Sequence, residues 1–340
     1  MRKLAGVTAL LAISLVIALV LVEAGLRITG RVRNVGPSFS EFHPVYGKWL
    51  KRDATIHRQT PEFDMVLQTD SEGFRGPGLP ADTKSTVIFT GDSFTMGYGV
   101  DQNEDFPSLV RAEFERRQGK NAVAVVNTGV GNSGNGRTLL WLEREAERFD
   151  PSLVVIQLTG NDFEDNREEG LFELGADGEL RPLGVRQPGS SRLIQSWIDD
   201  IPGLADLHLV GFAREVVIAL RQRRAPTQDA PPSADPGNDA LTYALIERIL
   251  ALCNERGWPF VGLTVDIEGE RFAHLDKLFE KAGGELLATP SKSERPDLYY
   301  VQDGHWRPEG HEAAAALLLE WIASHPLQAS GDPKPGTPMN

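Results

Sequence analysis

Three short apolar runs, each followed by a helical stretch, set the tightest limit on how this chain can fold. VIF (87–89), VAVV (123–126) and LVVI (153–156) are apolar at consecutive positions and do not alternate with polar residues. Consecutive apolar residues are expected in strands that are covered by helices on both faces, and strands joined through helices are parallel. The region from Ser85 onward is therefore predicted to be an α/β domain with a central parallel sheet.

The rest of the chain divides by composition. The alternation of strands and helices lapses after Asn161, and residues 222–239 carry four prolines and no hydrophobic periodicity, which predicts a disordered insertion. Helix, strand and helix patterns then resume, and a last helix stops before Pro326. The predicted organisation is a membrane anchor with its flank (1–34), a lead-in of loops and short strands (35–84), the α/β domain (85–326) and a disordered tail (327–340).

The N-terminus carries an uncharged apolar run. Residues 4–22 contain no charge over nineteen positions, close to the length that a helix needs to cross hydrocarbon. A cleaved signal peptide would have a shorter apolar core and a small-residue cleavage site, and a buried helix of a soluble domain seldom lacks every polar position. We therefore predict an uncleaved anchor with the rest of the chain exported. Arg2 and Lys3 favour a cytoplasmic N-terminus, whereas the arginines after the run favour the opposite topology.

Composition excludes some partners. The chain has 340 residues, 41% of them hydrophobic, which is enough for a sizeable core. Its formal net charge of −13, without any basic run, argues against nucleic acid as a partner. Cys253 is the only cysteine, so an internal disulfide or a cysteine-based metal site is impossible.

Polar clusters follow the three predicted strands at their carboxyl ends, where open parallel sheets form their active sites. They are Gly91–Ser93, Gly129–Gly134 and Gly160–Asp162, and a fourth cluster before the last helix supplies Asp303, His305 and His311. Taken singly, each residue has an ordinary explanation: Ser93 as a helix cap, Asn161 as a turn residue, His305 as a core histidine and Asp303 as a surface carboxylate. Together they supply a serine with the base and the orienting acceptor that a nucleophilic serine needs.

The order of these blocks resembles the SGNH hydrolase, or GDSL esterase/lipase, superfamily. GDSF follows the first strand, a glycine-rich turn the second and GND the third, and DGHWRPEGH precedes the last helix, so that the resemblance covers roughly residues 85–325. The apolar N-terminus followed by GFRGP is similar to the membrane-anchored bacterial branch. The resemblance implies a flavodoxin-like three-layer α/β/α sandwich behind an N-terminal transmembrane helix.

It also implies a serine esterase that uses neither a metal nor a cofactor. Ser93 would attack an ester carbonyl, with His305 as general base and Asp303 holding the imidazole tautomer. The backbone N–H groups of Ser93, Gly131 and Asn132 and the Asn161 amide would form the oxyanion hole. Asp92 and Asp162 are expected to stabilise the loops that carry these residues. The expected substrate is an ester or an O-acylated small molecule or glycan.

Two departures from the family pattern concern the site. Asp303 and His305 are separated by one residue instead of the commoner two, a spacing that resembles the branch related to polysaccharide O-acetyltransferases. Asn132 stands where a glycine is often found. A backbone donor does not require glycine, so the oxyanion hole can survive this exchange. His311 follows Pro308 by three residues, which places it within the last helix and favours His305 as the base.

Three alternative functions remain open from the residues alone. An acyltransferase would use the same triad and pass the acyl group to a sugar hydroxyl instead of water. A metallophosphoesterase could use similar GDS and GND segments, but it needs several spaced Asp and His ligands that the N-terminal part lacks. A non-catalytic envelope-binding module would give no reason to assemble a nucleophile, a base and oxyanion donors.

Overall fold

The protein was analysed as a computed structural model that describes residues 2–32, 35–79, 83, 85–187, 189–224 and 236–327. The chain forms two compact units. The helical unit consists of the described residues within Met1–Ser38, Ile56–Met65 and Pro188–Pro231, and the sheet unit consists of those within Phe39–Thr55, Val66–Gln187 and Pro232–Asn340.

Helices and strands alternate from Ser85 to Glu169, as the apolar pattern predicted. The helices are α1 (Arg2–Thr29), α2 (Ser93–Met96), α3 (Phe106–Gln118), α4 (Asn135–Glu145), α5 (Asp162–Glu169), α6 (Ser190–Asp200), α7 (His208–Arg224), α8 (Pro236–Arg256), α9 (Gly269–Lys281) and α10 (Pro308–Ser324). The strands are β1 (Ser40–His43), β2 (Gly47–Leu50), β3 (Thr55–Gln59), β4 (Asp64–Gln68), β5 (Ser85–Thr90), β6 (Val123–Asn127), β7 (Leu153–Thr159), β8 (Phe172–Leu174), β9 (Leu180–Pro182), β10 (Phe260–Val265) and β11 (Leu286–Ala288).

Five parallel strands form the central sheet. Their order is β11-β10-β7-β5-β6, and all four pairings are parallel. Counted along the chain, this is the order 2-1-3-4-5 of flavodoxin-like folds, in which β5 lies at the switch point and ligands bind beyond the carboxyl ends of the strands. The flavodoxin-like fold expected from the sequence is confirmed.

Helices cover the sheet in two layers. On one face, alternate side chains of the strands, such as Val87 and Phe89 on β5, pack with Phe106 of α3 and Leu318 of α10 in a single buried cluster. The intervening side chains point to the opposite face because successive residues of a strand alternate. On that side α4, α5 and α8 pack against one another.

Short elements outside the alternation were harder to predict. The lead-in contains β1 to β4, of which β1 and β2 pair as an antiparallel hairpin. The hairpin of β8 and β9 and the edge strand β11 have only three residues each and were not predicted, because so short a run carries no readable period.

Residues 222–239 were predicted to be disordered, but both ends of this segment are helical. Helix α7 continues to Arg224, and α8 begins at Pro236, where a proline in the first turn is compatible with a helix. Residues 225–235 and most of the predicted tail, residues 328–340, lie outside the described residues.

Candidate active site

Ser93 opens the helix that follows the central strand, but it does not cap that helix. Asp92 is the N-cap, and its Oδ1 accepts a hydrogen bond from the Phe94 N–H at 2.9 Å. The hydroxyl of Ser93 is therefore released from the capping role that serine often takes. The explanation of Ser93 as a helix cap is therefore wrong.

The turn before Ser93 requires glycine. Gly91 has φ of +150°, and a Cβ at this position would clash with Oε1 of Gln157. That oxygen accepts hydrogen bonds from the Asp92 N–H at 3.1 Å and the Thr95 hydroxyl at 2.9 Å. Gln157 on the neighbouring strand β7 thus fixes the turn that presents Ser93.

Ser93, His305 and Asp303 form a continuous hydrogen-bonded chain. His305 Nε2 lies 2.7 Å from Ser93 Oγ, and His305 Nδ1 lies 2.5 Å from Asp303 Oδ1. One imidazole therefore bridges the hydroxyl and the carboxylate through its two nitrogens. The side chains of His305 and Asp303 are about a quarter exposed, so the group is open to a ligand.

A tight turn brings the two neighbours of Gly304 together. Gly304 has φ of +89°, in the left-handed region that glycine adopts without steric cost. Its N–H donates to the Tyr300 carbonyl at 3.1 Å, and the Tyr300 N–H donates to the His305 carbonyl at 2.8 Å. This closed loop lets Asp303 and His305 contact each other across a single intervening residue.

Aromatic rings hold the imidazole of His305 from two sides. The ring centroid of Phe94 lies 5.0 Å and that of Tyr98 4.8 Å from the centroid of His305. Both rings belong to the segment that starts at Ser93, so the helix that carries the hydroxyl also orients the imidazole.

The turn at Gly131 and Asn132 lies beside Ser93. A Cβ built on Gly131 would be 3.7 Å from the Cβ of Ser93. Asn132 has φ of +52°, a conformation that asparagine tolerates better than most residues, which accounts for its presence at a position where glycine is common. Within the part of the chain that the structure describes, the backbone N–H groups of Gly131 and Asn132 have no hydrogen-bond acceptor.

Lys48 of β2 holds the carbonyl side of that turn. Its Nζ donates to the carbonyl oxygens of Gly131 at 2.5 Å and Asn132 at 3.0 Å. Glu169 holds the far end by accepting from the Gly134 N–H at 2.9 Å and pairing with Arg137 at 2.6 Å. The turn is thus fixed by charged side chains from the lead-in and from α5.

Asn161 follows β7, and its amide nitrogen donates to Asp165 Oδ2 at 2.7 Å. Burial raises the pKa of Asp165 to about 6, and the hydrogen bond from Asn161 opposes that rise. The Asn161 amide also favours the ionised form of Asp92 and so lowers its pKa, although burial raises the pKa of Asp92 overall. The observed hydrogen bond of the amide is thus to Asp165.

Asp92 and Asp162 are both buried and brace neighbouring loops. Asp162 Oδ2 accepts from the Thr159 N–H and from the Asn135 amide, each at 3.1 Å. Burial raises the pKa of both carboxyl groups, and the nearby Asp92 raises that of Asp162 further. Their contacts are structural, in line with the bracing role expected from the sequence.

Arg75, in the GFRGP segment, was not singled out by sequence reasoning. It is buried and donates to four backbone carbonyls, those of Met96 and Val100 at 2.9 Å and of Gly97 and Asp101 at 2.5 Å. It therefore fastens the loop that follows α2. The arginine among glycines and a proline is a signal that could have identified it, whereas Lys48 and Asp165 carry no comparable signal.

His311 is fully buried in the first turn of α10. Its Nδ1 accepts from the N–H of Phe106, the first residue of α3, at 3.3 Å, and its ring packs against Trp306. Burial lowers the pKa of His311 well below its ordinary value. A neutral, enclosed imidazole joins α10 to α3 and is not part of the hydrogen-bonded chain at Ser93.

Comparisons with known proteins give a family match and several similar structures. A family model described as the GDSL-like Lipase/Acylhydrolase family matches residues 89–313. Similar solved structures include TesA (12% identity, 71% of this chain and 99% of that chain, TM-score 0.41) and the acetylxylan esterase Axe2 from Geobacillus stearothermophilus (11%, 70% and 94%, 0.41). The psychrotrophic esterase EstA from Pseudoalteromonas sp. is 14% identical over 71% of this chain and 98% of that chain, with a TM-score of 0.38.

The comparison with curated protein sequences returned no match. In the described ranges, no group of three His, Cys, Asp or Glu side chains is arranged to hold a metal ion. The family model spans more than half of the chain and includes the segments that carry Ser93 and His305. The chain therefore belongs to the GDSL-like lipase/acylhydrolase family and is a hydrolase that acts on ester bonds.

Proposed function

We propose that Ser93, His305 and Asp303 are the catalytic triad of a serine esterase. The observation that carries this proposal is the unbroken chain of contacts from the Ser93 hydroxyl through both imidazole nitrogens to the Asp303 carboxylate. His305 takes the hydroxyl proton at Nε2 as Ser93 Oγ attacks the ester carbonyl, and Asp303 stabilises the imidazolium that forms. The same proton passes to the departing alcohol, and water then releases the acyl group from Ser93.

The backbone N–H groups of Ser93, Gly131 and Asn132, with the Asn161 amide, stabilise the oxyanion. Support comes from the closeness of Gly131 to Ser93 and from the free N–H groups of the turn. Lys48 holds the carbonyls of this turn, which leaves its N–H groups available for a developing negative charge. Removing one such donor typically raises the barrier by about 3 kcal/mol.

Helix α1 serves as an uncleaved membrane anchor, with the sheet unit on the extracytoplasmic side. Gly6–Thr29 is long and apolar enough to cross a bilayer. Glu23, near its end, accepts hydrogen bonds from the N–H groups of His208 at 3.1 Å and Leu209 at 2.8 Å at the start of α7. A cleaved signal peptide would have no reason to take part in a contact within the mature chain.

A fluorophosphonate probe tests the nucleophile, because it modifies only an activated serine. We expect labelling of the wild type and of Ser71→Ala, an exposed control, and none of Ser93→Ala. Equal labelling of Ser93→Ala and the wild type would refute the triad.

The fate of the acyl group separates hydrolysis from transfer. The full chain would be incubated with acetylated and unacetylated oligosaccharides, and acetate release would be compared with acetyl transfer. Release to water at the same rate with and without an acceptor sugar supports the esterase. Transfer that dominates at every acceptor concentration would instead assign the triad to an O-acetyltransferase.

Carbonate washing and protease accessibility test the anchor. The full-length chain should stay in the membrane fraction, and its sheet unit should be digested from the extracytoplasmic side only. A shortened chain in the soluble fraction would mean cleavage after α1, and protection from external protease would reverse the topology.

A further inference from the structure

Helix α6 packs with its polar side inward. The carboxylate of Asp199, whose side chain is only 4% exposed, accepts from the Ser38 N–H at 3.1 Å and from the Gln195 amide at 2.6 Å. The guanidinium of Arg214 lies 3.6 Å from the same carboxylate and donates to the Gly36 carbonyl at 2.7 Å. The interior that α6 and α7 share within the helical unit is therefore polar.

The opposite side of α6 is apolar and exposed. Leu193, Ile194 and Trp197 recur at helical spacing, exposed Ile201 follows the last residue of the helix, and the side chain of Trp197 is 75% exposed. A helix of a water-soluble protein has the reverse arrangement, because burial of apolar surface is what holds it to its neighbours. An apolar face turned outward indicates a non-aqueous environment or a partner.

Helix α7 extends the same pattern. Phe212, Val216 and Leu220 are exposed at intervals of four residues, with Val217 beside them. Together with Leu193, Ile194 and Trp197 of α6 and the adjoining Ile201, these four residues make up what we call the outer apolar face of the helical unit.

The position of α7 along α1 indicates what contacts the outer apolar face. Residues 6–22 of α1 are exposed along their whole length, whereas Glu23 is partly covered and binds the first N–H groups of α7. Helix α7 therefore begins where the apolar stretch of α1 ends, at the depth where a spanning helix leaves hydrocarbon. Arg27, one turn further along α1, is exposed, as is typical of a residue at a membrane–water interface.

We propose that the outer apolar face lies in the boundary between headgroups and acyl chains of the bilayer that α1 crosses. This inference rests on the proposed role of α1 as an anchor and adds a second, interfacial membrane contact. Helices of this kind lie parallel to the membrane with the apolar side in the acyl boundary and the polar side away from it. An inward polar side and an outward tryptophan on α6 match that arrangement.

Quenching of Trp197 by brominated lipids tests the proposal. The full-length chain would be reconstituted in phosphatidylcholine vesicles containing a fifth of phosphatidylglycerol, with and without bromine on the acyl chains. The Trp197 signal is the emission of the wild type minus that of Trp197→Phe, and buried Trp258, treated in the same way, is the matched control. We expect brominated lipids to remove most of the Trp197 signal and to leave the Trp258 signal unchanged, and aqueous iodide to have little effect on Trp197.

Carbonate extraction of the same vesicles separates the two hypotheses. If the chain resists extraction but Trp197 is quenched by iodide and not by bromine, the interfacial contact is refuted and the anchor stands. If neither reagent quenches Trp197, a protein surface covers the face, which also refutes a lipid contact. If carbonate extracts the chain, the anchor fails, and bromine quenching before extraction still decides whether the outer apolar face meets lipid.

Discussion

The central sheet and the helix pair α6 and α7 enclose different kinds of side chain. In the sheet unit, apolar residues of β5 and β7 fill the interior, and the polar groups that contact one another at Ser93 lie at the strand ends, partly exposed. Between α6 and α7 of the helical unit, the carboxylate of Asp199 is enclosed and pairs with the half-buried Arg214, whereas leucine, isoleucine and tryptophan of these helices face outward. Polar groups at the edge of an apolar core are available for chemistry, whereas polar groups at the centre of a unit hold it together.

This contrast has a measurable form. Replacement of a residue at the Ser93 site should reduce activity without unfolding the protein, because the contacts of that residue are few and open to solvent. Replacement of a polar residue between α6 and α7 should lower stability without changing catalytic activity, because its hydrogen-bonding partners lose their pairing away from water.

The largest effect is expected at His305. His305→Ala should lower the esterase rate by about 10⁴-fold or more, as loss of a triad base does, with an unchanged melting temperature. His311→Ala is the matched control and should lose stability, about 2 to 4 kcal/mol for a buried side chain of this size, and retain activity while folded. An active His305→Ala beside a folded but inactive His311→Ala would overturn the assignment of the base.

The second-largest effect on activity is expected at Asn161. Asn161→Ala is expected to lower kcat by about 10² to 10³ with little change in KM, because the amide is needed mainly in the transition state. Steady-state kinetics of the purified variant measure this. A rise in KM alone would make Asn161 a substrate-binding residue and remove it from the oxyanion hole.

In the helical unit, Asp199→Ala should cost about 2 kcal/mol of stability, because it leaves the Ser38 N–H and the half-buried Arg214 without their carboxylate. The matched variant Ile194→Ser, on the outer apolar face, should cost almost nothing in detergent. Limited proteolysis of α6 and α7 would compare the two, with esterase rate as the second readout. Equal protease sensitivity of both variants would mean that the unit is not held by its polar interior.

His311 should contribute to the pH dependence of the protein's stability. Its pKa is well below the ordinary value in the fold, so the unfolded chain gains a proton below about pH 6.5 that the folded chain does not bind. The contribution of His311 to stability is therefore lost as the pH falls below about 6.5. His311→Gln, which keeps an acceptor for the Phe106 N–H, should show a shallower loss of melting temperature between pH 7 and 5, and parallel curves would exclude His311 as the source.

The smallest effect is expected at Lys48. Lys48→Met should lower kcat by about 10-fold at constant KM, because the Gly131 turn loses its carbonyl anchor while its N–H groups remain. Lys48→Arg should restore part of the rate, and exposed Lys120→Met is the control. A change confined to KM would place Lys48 in substrate binding instead of in positioning the turn.

Much of the sheet unit was readable in the sequence. Consecutive apolar residues, together with the helices between them, predict buried parallel strands, and the residues after each strand must then meet at one edge of the sheet. The regular elements from β5 to β7 follow from that local pattern, whereas the contact between Ser93 and His305, 212 positions apart, was implied by the resemblance to a family.

Other features depend on contacts between residues far apart in the chain, which no local pattern encodes. Asp92, and not Ser93, caps α2 because the turn is held by Gln157 on another strand. Lys48 contacts the Gly131 turn only because β2 is brought to it by folding, and a lysine in a short strand otherwise resembles any surface lysine. Helix α6 was not predicted, although its apolar residues recur at helical spacing in the sequence. Only tertiary packing decided that its polar side faces inward, because periodicity defines two faces of a helix and the neighbouring residues select which one is buried.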